Sequence, residues 1–279
     1  MTTYLDGKQV AGQIRERLKD AIQRSGLVPG LAVVLVGDDP ASEIYVRNKG
    51  RAARAVGMLS VERRLPASST TEEVLRVVED LNRDDSIHGI LVQLPLPPGI
   101  DRDAVIERIS PYKDVDGLTR ASQGALMQNQ DGLRPCTPAG ILDLLEAYQI
   151  PVSGRRAVVV GRSALVGLPV ALLLMHKNAT VSIIHSRTTE PEGLAREADI
   201  LVVAAGRPRL VTRKWVKEDA VVVDVGIHRT SDGLIGDVDA ASLDGYVRAL
   251  SPVPGGVGPM TIAELLNNTW KAAQRQVGQ

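Results

Sequence analysis

Apolar and polar residues alternate with two different periods along the first 110 positions. Four apolar residues recur at every fourth position and are followed by a glycine: Val10, Ile14, Leu18, Ile22 and Gly26. This spacing predicts an amphipathic helix that ends near the glycine. The continuous apolar run from Leu31 to Val36 instead predicts a short strand that is buried on both faces.

The same alternation continues through the first half of the chain. Asp39 and Pro40 predict the start of a helix that ends at about Gly57. A strand over 58–65, a helix over 71–82 and a strand over 87–94 follow. Strands and helices in alternation predict a parallel sheet with helices on its faces.

A second alternation follows a polar stretch. Residues 122–134 are rich in Gln, Asn and Gly and lack an apolar period, which predicts a connection between domains. Beyond it the pattern predicts a helix from Thr137-Pro138 to about Tyr148, strands over 157–160, 180–184, 201–203 and 221–223, and a last helix over about 259–275. The sequence therefore predicts an α/β fold of two domains, over 1–120 and 121–279, with a cleft between them. The final helix, about 260–279, could pack back on the first domain.

Composition narrows the classes of partner. Lys plus Arg equal Asp plus Glu, at 33 each, which gives no electrostatic reason to expect nucleic acid or an anionic membrane. Phe is absent and aromatic residues make up only 3%, so stacking platforms for single strands are not expected. The first residues lack a signal-peptide run, and the longest apolar runs are too short to span a bilayer. We expect a soluble cytoplasmic protein with no nucleic-acid and no membrane partner.

The metal-ligating residue types are sparse. The single cysteine, Cys136, cannot form an internal disulfide, and we expect it to be a small packed residue near the domain junction. None of the four histidines forms an HxxxH, HxH or HExxH pair. We therefore expect no protein-bound metal.

A glycine-bearing turn opens the alternation of the second half. Gly161, Arg162 and Ser163 follow an apolar strand, and Gly167 precedes an apolar helix. Such a turn lets the helix pack closely on the strand and points free N–H groups at a pyrophosphate. The spacing G-x-S-x-x-x-G differs from the usual fingerprint, and a plain β-α connection is the alternative.

The next strand ends favour a phosphorylated dinucleotide. His185-Ser186-Arg187-Thr188 places a hydroxyl and a cation where an NAD site usually has an acid, and this pair suits a 2′-phosphate. Arg162 could join Arg187 in binding it. Two further strands end in glycine-bearing turns, at 204–206 and 224–226. We predict a Rossmann-like parallel-sheet domain that binds NADP.

Candidate chemistry in the first half lies on one helix and one strand end. Tyr45 and Lys49 are four residues apart and therefore share a helix face, although a basic solvated face is the alternative. Gln93 is a polar amide near the carboxyl end of an apolar strand, where it either satisfies the backbone or holds a catalytic group.

Two loops carry unusual compositions. Lys113-Asp-Val-Asp116-Gly117 is an acidic turn, which either forms local caps or offers a carboxylate to a heterocycle such as a pterin. Pro254-Gly255-Gly-Val-Gly-Pro259 combines two prolines with three glycines. It is either an elaborate start to the last helix or a loop whose main chain approaches substrate or cofactor, and we favour the second interpretation.

These motifs occur together and in order, and with them the chain closely resembles the bifunctional methylenetetrahydrofolate dehydrogenase/methenyltetrahydrofolate cyclohydrolase family. The motifs are Tyr45-x-x-x-Lys49, the run from Gly89 to Pro97, Lys113 to Gly117, Arg134-Pro-Cys-Thr-Pro138, Gly161-Arg-Ser163 and Pro254 to Thr261. The resemblance spans nearly the whole chain. It implies an N-terminal α/β catalytic domain that binds folate and a C-terminal NADP-binding domain.

The resemblance also implies a reaction sequence. NADP⁺ takes hydride from 5,10-methylenetetrahydrofolate, and water then opens the methenyl cation to 10-formyltetrahydrofolate. By resemblance, Lys49 transfers protons in the hydrolysis, Gln93 hydrogen-bonds to Lys49, Tyr45 stacks on the aminobenzoyl ring and Asp116 binds the pterin. The lysine would need a lowered pKa to act as a base near neutral pH.

Further contacts are implied with substrate and cofactor. Ser42, Pro254 and Gly255 are expected at the substrate. The family's cofactor contacts fall on Gly161, Arg162, Ser163, Ser186 and Ile227. A homodimer is expected from the family. An NADP-dependent dehydrogenase of another small molecule and a non-enzymatic dinucleotide sensor are the alternatives.

Overall fold

In a computed structural model, which describes residues 1–231 and 233–278, the chain forms two compact units. The six-stranded unit consists of residues 1–12 and 137–261, and the three-stranded unit of residues 13–136 and 262–278. The predicted boundary at residue 120 therefore falls inside the three-stranded unit. The chain begins with β1 (Thr3–Tyr4) and α1 (Gly7–Ser25).

The three-stranded unit is an α/β layer structure around one short parallel sheet. The elements that lie wholly within it are β2 (Gly30–Val36), α2 (Pro40–Ala55), β3 (Leu59–Leu65), α3 (Thr71–Arg83), β4 (Gly89–Val92), α4 (Arg102–Arg108) and α5 (Arg120–Met127). The strand order is β3-β2-β4, and both pairings are parallel. The central strand β2 is buried along its whole length, as its continuous apolar run predicts.

Side-chain caps set where two of these helices begin. The Asp39 carboxylate accepts the Ser42 N–H at 2.8 Å at the start of α2, where Pro40 is the first helical residue. Thr70 and Glu73 form a reciprocal capping box at the start of α3. These local signals explain why both helices begin at the residues that the sequence predicts.

The six-stranded unit contains the remaining elements. They are α6 (Cys136–Ala147), β5 (Arg156–Val160), α7 (Gly167–His176), β6 (Thr180–Ile184), α8 (Pro191–Ala195), β7 (Ile200–Val203), β8 (Val221–Asp224), β9 (His228–Thr230), β10 (Gly233–Ile235), α9 (Ala240–Leu243), β11 (Ala249–Leu250) and α10 (Val257–Val277). A 3-10 turn spans Arg213–Trp215. The first residue of α6 and the last part of α10 belong to the three-stranded unit.

The large sheet is parallel throughout, so the loops that follow its strands lie at the same end of the sheet. Its strand order is β1-β11-β8-β7-β5-β6, and an antiparallel hairpin of β9 and β10 stands apart from it. The carboxyl ends of β5, β6, β7 and β8 therefore lie side by side, which is where doubly wound sheets bind ligands. β1 pairs with β11, so the first residues of the chain complete the sheet of its second half.

Most predicted elements are confirmed, and two differ from the structure. Residues 122–134 are not a plain connection, because α5 occupies Arg120–Met127. Its cap is Thr119, whose side chain accepts the Ser122 N–H, and it buries Leu126. The strand predicted over 87–94 is shorter, since β4 ends at Val92 and leaves Gln93 just beyond it.

Candidate functional site

A pocket of about 490 Å³ lies at the carboxyl ends of β5, β6 and β7 in the six-stranded unit. Its size is in the range of small-molecule sites. The polar and charged side chains that line it are those of Arg162, Ser163, His185, Ser186, Thr188, Glu192 and Arg207. Pro191, Leu210 and Trp215 form an apolar part of the wall. The pocket thus combines an apolar surface with cations and hydroxyls.

Gly161 shapes the floor of this pocket. Its φ is +119°, a backbone conformation that favours glycine, and an added Cβ would overlap the carbonyl oxygen of Ala204. The Ser163 hydroxyl accepts the N–H groups of Val166 at 3.2 Å and Gly167 at 3.4 Å, at the start of α7. These residues fit a dinucleotide, because a glycine has no side chain to block a pyrophosphate from approaching the main chain.

Three arginines near the pocket differ in placement. Arg162 lines the pocket, as its place in the glycine-bearing turn predicts. Arg187 is exposed and does not line the pocket. Arg207, which the sequence analysis missed, lines the pocket from the loop after β7. Its only signal in the sequence is its position directly after the glycine of a strand-end turn. Among the described residues, neither Arg162 nor Arg207 forms an ion pair with a carboxylate, so both guanidinium groups can meet a phosphate.

A second, smaller cavity of about 150 Å³ lies in the same unit, beside the end of β8. It brings together Ile227, Pro254 and Gly255, three residues that the sequence analysis places at substrate or cofactor. Lys8 also lines it, and its backbone N–H donates to the Gly255 carbonyl at 3.1 Å. The proline-glycine loop is therefore held from the start of α1.

Lys49 and Gln93 meet in the three-stranded unit. The Lys49 Nζ donates a hydrogen bond of 2.9 Å to Gln93 Oε1, and Gln93 Nε2 donates to the Leu94 carbonyl at 2.7 Å. The second bond orients the amide so that its oxygen faces the lysine. This arrangement matches the interaction that the resemblance implies for the two residues.

Burial and a neighbouring carboxylate act in opposite directions on the pKa of Lys49. Burial lowers the pKa of the Lys49 ammonium below its ordinary value, while the charge of Asp116 works in the opposite direction. Burial raises the pKa of the Asp116 carboxyl, with the charge of Lys49 opposing the shift and that of Asp114 adding to it. The site can therefore hold and release a proton at the lysine.

The acidic turn, Lys113 to Gly117, contains two carboxylates that interact with different groups. Asp114 is buried and accepts hydrogen bonds from Leu118, Thr119 and Ser122, so it holds the backbone of the turn. Asp116 is the carboxylate that interacts with Lys49. The interpretation as a local cap therefore applies to Asp114, whereas the binding of a heterocycle by Asp116 stays a prediction.

The Lys113 side chain also has a structural role. Its Nζ donates to the carbonyl oxygens of Leu81 at 3.2 Å and Asp84 at 2.9 Å. These carbonyls lie at the end of α3, where a cation is favourable.

Tyr45, Ser42 and Cys136 complete the set of predicted residues. Tyr45 lies one turn before Lys49 on α2 with its side chain exposed, as a ring that is available for stacking would require. Ser42 is buried and hydrogen-bonds to Asp39. Cys136 is buried, and its pKa is raised well above its ordinary value by burial, which describes a packed thiol.

The described residues, 1–231 and 233–278, hold neither a cluster of metal ligands nor a membrane-spanning helix. Within them no group of three or more His, Cys, Asp or Glu is arranged to hold a metal ion. Within the same ranges no helix has the length and apolarity that crossing a membrane requires.

Comparison with known proteins shows the family to which the chain is similar. Residues 5–116 match the catalytic domain of tetrahydrofolate dehydrogenase/cyclohydrolase, and residues 135–277 match its NAD(P)-binding domain. A Frankia casuarinae protein named bifunctional protein FolD 2 is 51% identical over 278 residues, which cover 98% of this chain and 96% of that one.

Solved structures agree over the whole chain. The bifunctional enzyme FolD, methylenetetrahydrofolate dehydrogenase/cyclohydrolase, from Campylobacter jejuni has a TM-score of 0.96 at 45% identity, with 99% of each chain covered. The Trypanosoma brucei methylenetetrahydrofolate dehydrogenase-cyclohydrolase, solved with NADP and an inhibitor, has a TM-score of 0.94 at 38% identity, with 100% of this chain and 99% of that one covered.

Proposed function

The chain belongs to the tetrahydrofolate dehydrogenase/cyclohydrolase family, and from that membership we propose which of its residues perform each reaction. The protein oxidises 5,10-methylenetetrahydrofolate with NADP⁺ and hydrolyses the methenyl product to 10-formyltetrahydrofolate. We assign the hydrolysis to Lys49, which hydrogen-bonds to Gln93 and whose pKa the charge of Asp116 influences. The hydrogen bond of 2.9 Å between Lys49 and Gln93 is the observation that carries this assignment.

The oxidation step requires mainly positioning. When bound, NADP⁺ supplies the hydride acceptor. The carbon that loses hydride lies between two nitrogens whose lone pairs stabilise the positive product, so the protein need not supply a strong acid or base. Gly161, Arg162, Ser163 and Ser186 would hold the dinucleotide in the larger pocket, and Ile227 would contact it in the smaller cavity.

The hydrolysis requires a base. Neutral Lys49 accepts a proton from water as the oxygen attacks the methenyl carbon. The bond from that carbon to N5 then breaks, its electron pair goes to N5, which gains a proton, and the hydroxyl loses its proton to become the formyl oxygen. One proton is released overall. Asp116 would accept N–H bonds from the pterin, and the exposed ring of Tyr45 would stack on the aminobenzoyl group.

The alternatives account for less of the structure. A dehydrogenase of another substrate, or a dinucleotide sensor without turnover, needs the larger pocket alone. Neither requires the half-buried side chains of Lys49, Gln93 and Asp116 to interact. Their interaction therefore favours folate chemistry over both.

A coupled assay tests the function directly. Purified protein is mixed with 5,10-methylenetetrahydrofolate and NADP⁺, and the formation of NADPH and of the methenyl compound is followed. We expect NADPH to form and the methenyl compound to be consumed. Binding of NADP⁺ without any turnover would remove the enzyme assignment.

Asp116→Asn should shift the pH dependence of hydrolysis. The charge of Asp116 raises the pKa of Lys49, so its removal lowers that pKa further. Hydrolysis needs the neutral amine, and its rate rises with pH through the pKa of Lys49. We expect the midpoint of that rise, in kcat at saturating substrate, to move to lower pH by about one unit, together with a higher KM because the pterin loses a partner.

A charge-matched control accompanies this variant. Asp103 is an exposed carboxylate on α4 in the same unit, and Asp103→Asn should leave the pH profile unchanged because exposed charges are screened. A midpoint that stays in place, or moves to higher pH, in Asp116→Asn would refute the coupling between Asp116 and Lys49.

We further propose that the protein acts as a homodimer in the cytoplasm, on one-carbon derivatives of tetrahydrofolate. Both the assembly and the location rest on family membership. The balanced charge of the chain agrees with a small-molecule partner.

A further inference from the structure

Two buried carboxylates hydrogen-bond to the loops that follow β7 and β8 at the carboxyl end of the large sheet. Asp224 ends β8, and Asp237 follows the hairpin of β9 and β10. Both side chains are almost fully shielded from solvent. Neither is part of the chemistry assigned above, yet a buried carboxylate is costly unless donors surround it.

Asp237 binds the loop that forms one wall of the larger pocket. Its Oδ2 accepts the backbone N–H of Ala205 at 2.7 Å and that of Gly206 at 2.8 Å. Ala205 lines the pocket. The other oxygen, Oδ1, lies 2.7 Å from Nε2 of His228. One carboxylate is therefore held by a histidine on one side and holds two adjacent N–H groups on the other.

Asp224 binds the loop that lines the smaller cavity. Its Oδ1 accepts the N–H of Gly226 and that of Asp237, both at 2.9 Å, and its Oδ2 accepts the N–H of Val238 at 3.0 Å. Burial raises the pKa of Asp224 to about 6, so at neutral pH the group is mostly ionised and accepts these bonds. Both carboxylates thus belong to one network beneath two cavity walls.

The Asp237 side chain is tightly packed and has little room to move. An added Cβ at Gly226 would overlap Oδ1 of Asp237, so the loop after β8 packs directly on that carboxylate. Asp237 consequently contacts the loops after both β7 and β8. A small movement of this carboxylate would displace walls of both cavities.

We propose that Asp237, held by His228, is a positioning residue for the dinucleotide. It keeps the loop after β7 in the conformation that the cofactor meets, so binding does not have to order that loop. The inference rests on the cofactor site proposed above. Because Asp237 acts through backbone N–H groups, NADP⁺ and NAD⁺ should depend on it equally.

Asp237→Asn tests this role by direct binding. The side-chain amide is neutral and offers one acceptor oxygen where the carboxylate offers two, so the bonds that it keeps with the loop lose their charge assistance. We expect the Kd values of NADP⁺ and NAD⁺, measured by titration calorimetry, to rise by the same factor, about tenfold. We expect kcat at saturating cofactor to change less than about twofold, since this residue touches neither reactant.

Two further variants keep the test decisive. His228→Gln removes the imidazole while leaving the carboxylate on the loop, and should raise both Kd values by a smaller common factor. This variant answers the question if Asp237→Asn fails to fold, as judged by circular dichroism. Asp239→Asn is the matched control, because Asp239 is a nearby carboxylate whose side chain makes no capping bond, and it should bind both cofactors normally.

The possible outcomes distinguish a failure of the positioning role of Asp237 from a failure of the proposed cofactor site. Unchanged Kd values in folded Asp237→Asn, or in His228→Gln where the former does not fold, would overturn the positioning role. A loss confined to NADP⁺ would also overturn it, because it would place the effect at the 2′-phosphate. Failure of the unmodified protein to bind either dinucleotide would instead count against the cofactor site itself.

Discussion

Replacing Lys49 with Met should remove nearly all hydrolysis of 5,10-methenyltetrahydrofolate while NADP⁺ still binds. Methionine preserves the length and much of the packing of the lysine stem but cannot accept a proton. A positioned general base contributes about 10²- to 10⁴-fold to a rate, so we expect a loss of that order. Lys49 is not among the residues that line the larger pocket, so the Kd of NADP⁺ should stay within about twofold.

Decay of the methenyl compound, followed spectrophotometrically, measures the hydrolysis. Lys49→Arg should fail almost as completely, because a guanidinium keeps its proton at neutral pH. Lys271→Met is the control, since Lys271 is exposed on α10 in the same unit. Full hydrolytic activity in Lys49→Met would contradict the role given to the lysine.

Replacing Arg162 with Ala should weaken NADP⁺ binding about 10- to 100-fold and leave NAD⁺ binding nearly unchanged. Arg162 and Ser186 both line the pocket, and charge-assisted hydrogen bonds to a phosphate are each worth about 1.5–3 kcal/mol. NAD⁺ lacks the 2′-phosphate and cannot lose that contact. Titration of both dinucleotides into the variant gives the ratio directly.

Arg187 and Arg207 form the matching comparison. From the sequence we expect Arg187→Ala to weaken NADP⁺ binding with NAD⁺ little changed. Arg207, not Arg187, lines the pocket, so Arg207→Ala should show the same selectivity if the two cations around the phosphate are Arg162 and Arg207. Equal losses for both dinucleotides in any of the three variants would refute a 2′-phosphate role for that arginine.

The helices and strands were largely predictable because their signals are local. The four-residue period before Gly26, the Asp39-Pro40 start of α2 and the apolar run of β2 each lie within a few positions. Elements without a local signal were missed. α5 is short and polar and depends on its Thr119 cap, and β1 exists only because it pairs with β11, which lies about 245 positions away.

The candidate site was predictable in its residue types but not in its contacts. Lys49 and Gln93 were paired only through the family resemblance, since the two lie 44 positions apart. Arg207 and Asp237 carried no motif. Arg207 follows one strand-end turn, and Asp237 reaches the same loop from 31 positions beyond Gly206.

Hydrophobic periodicity, caps and turn residues by themselves determined an α/β chain with two parallel sheets, and the motif set determined its family and reactions. The tertiary structure alone decided which polar side chains meet. It brought Asp116 to Lys49, assigned Asp114 to the turn, placed Arg207 rather than Arg187 in the pocket and set Asp237 beneath two loops. The physical reason is that secondary structure follows from neighbours along the chain, whereas desolvation, pKa and hydrogen bonding between side chains depend on strand order and burial.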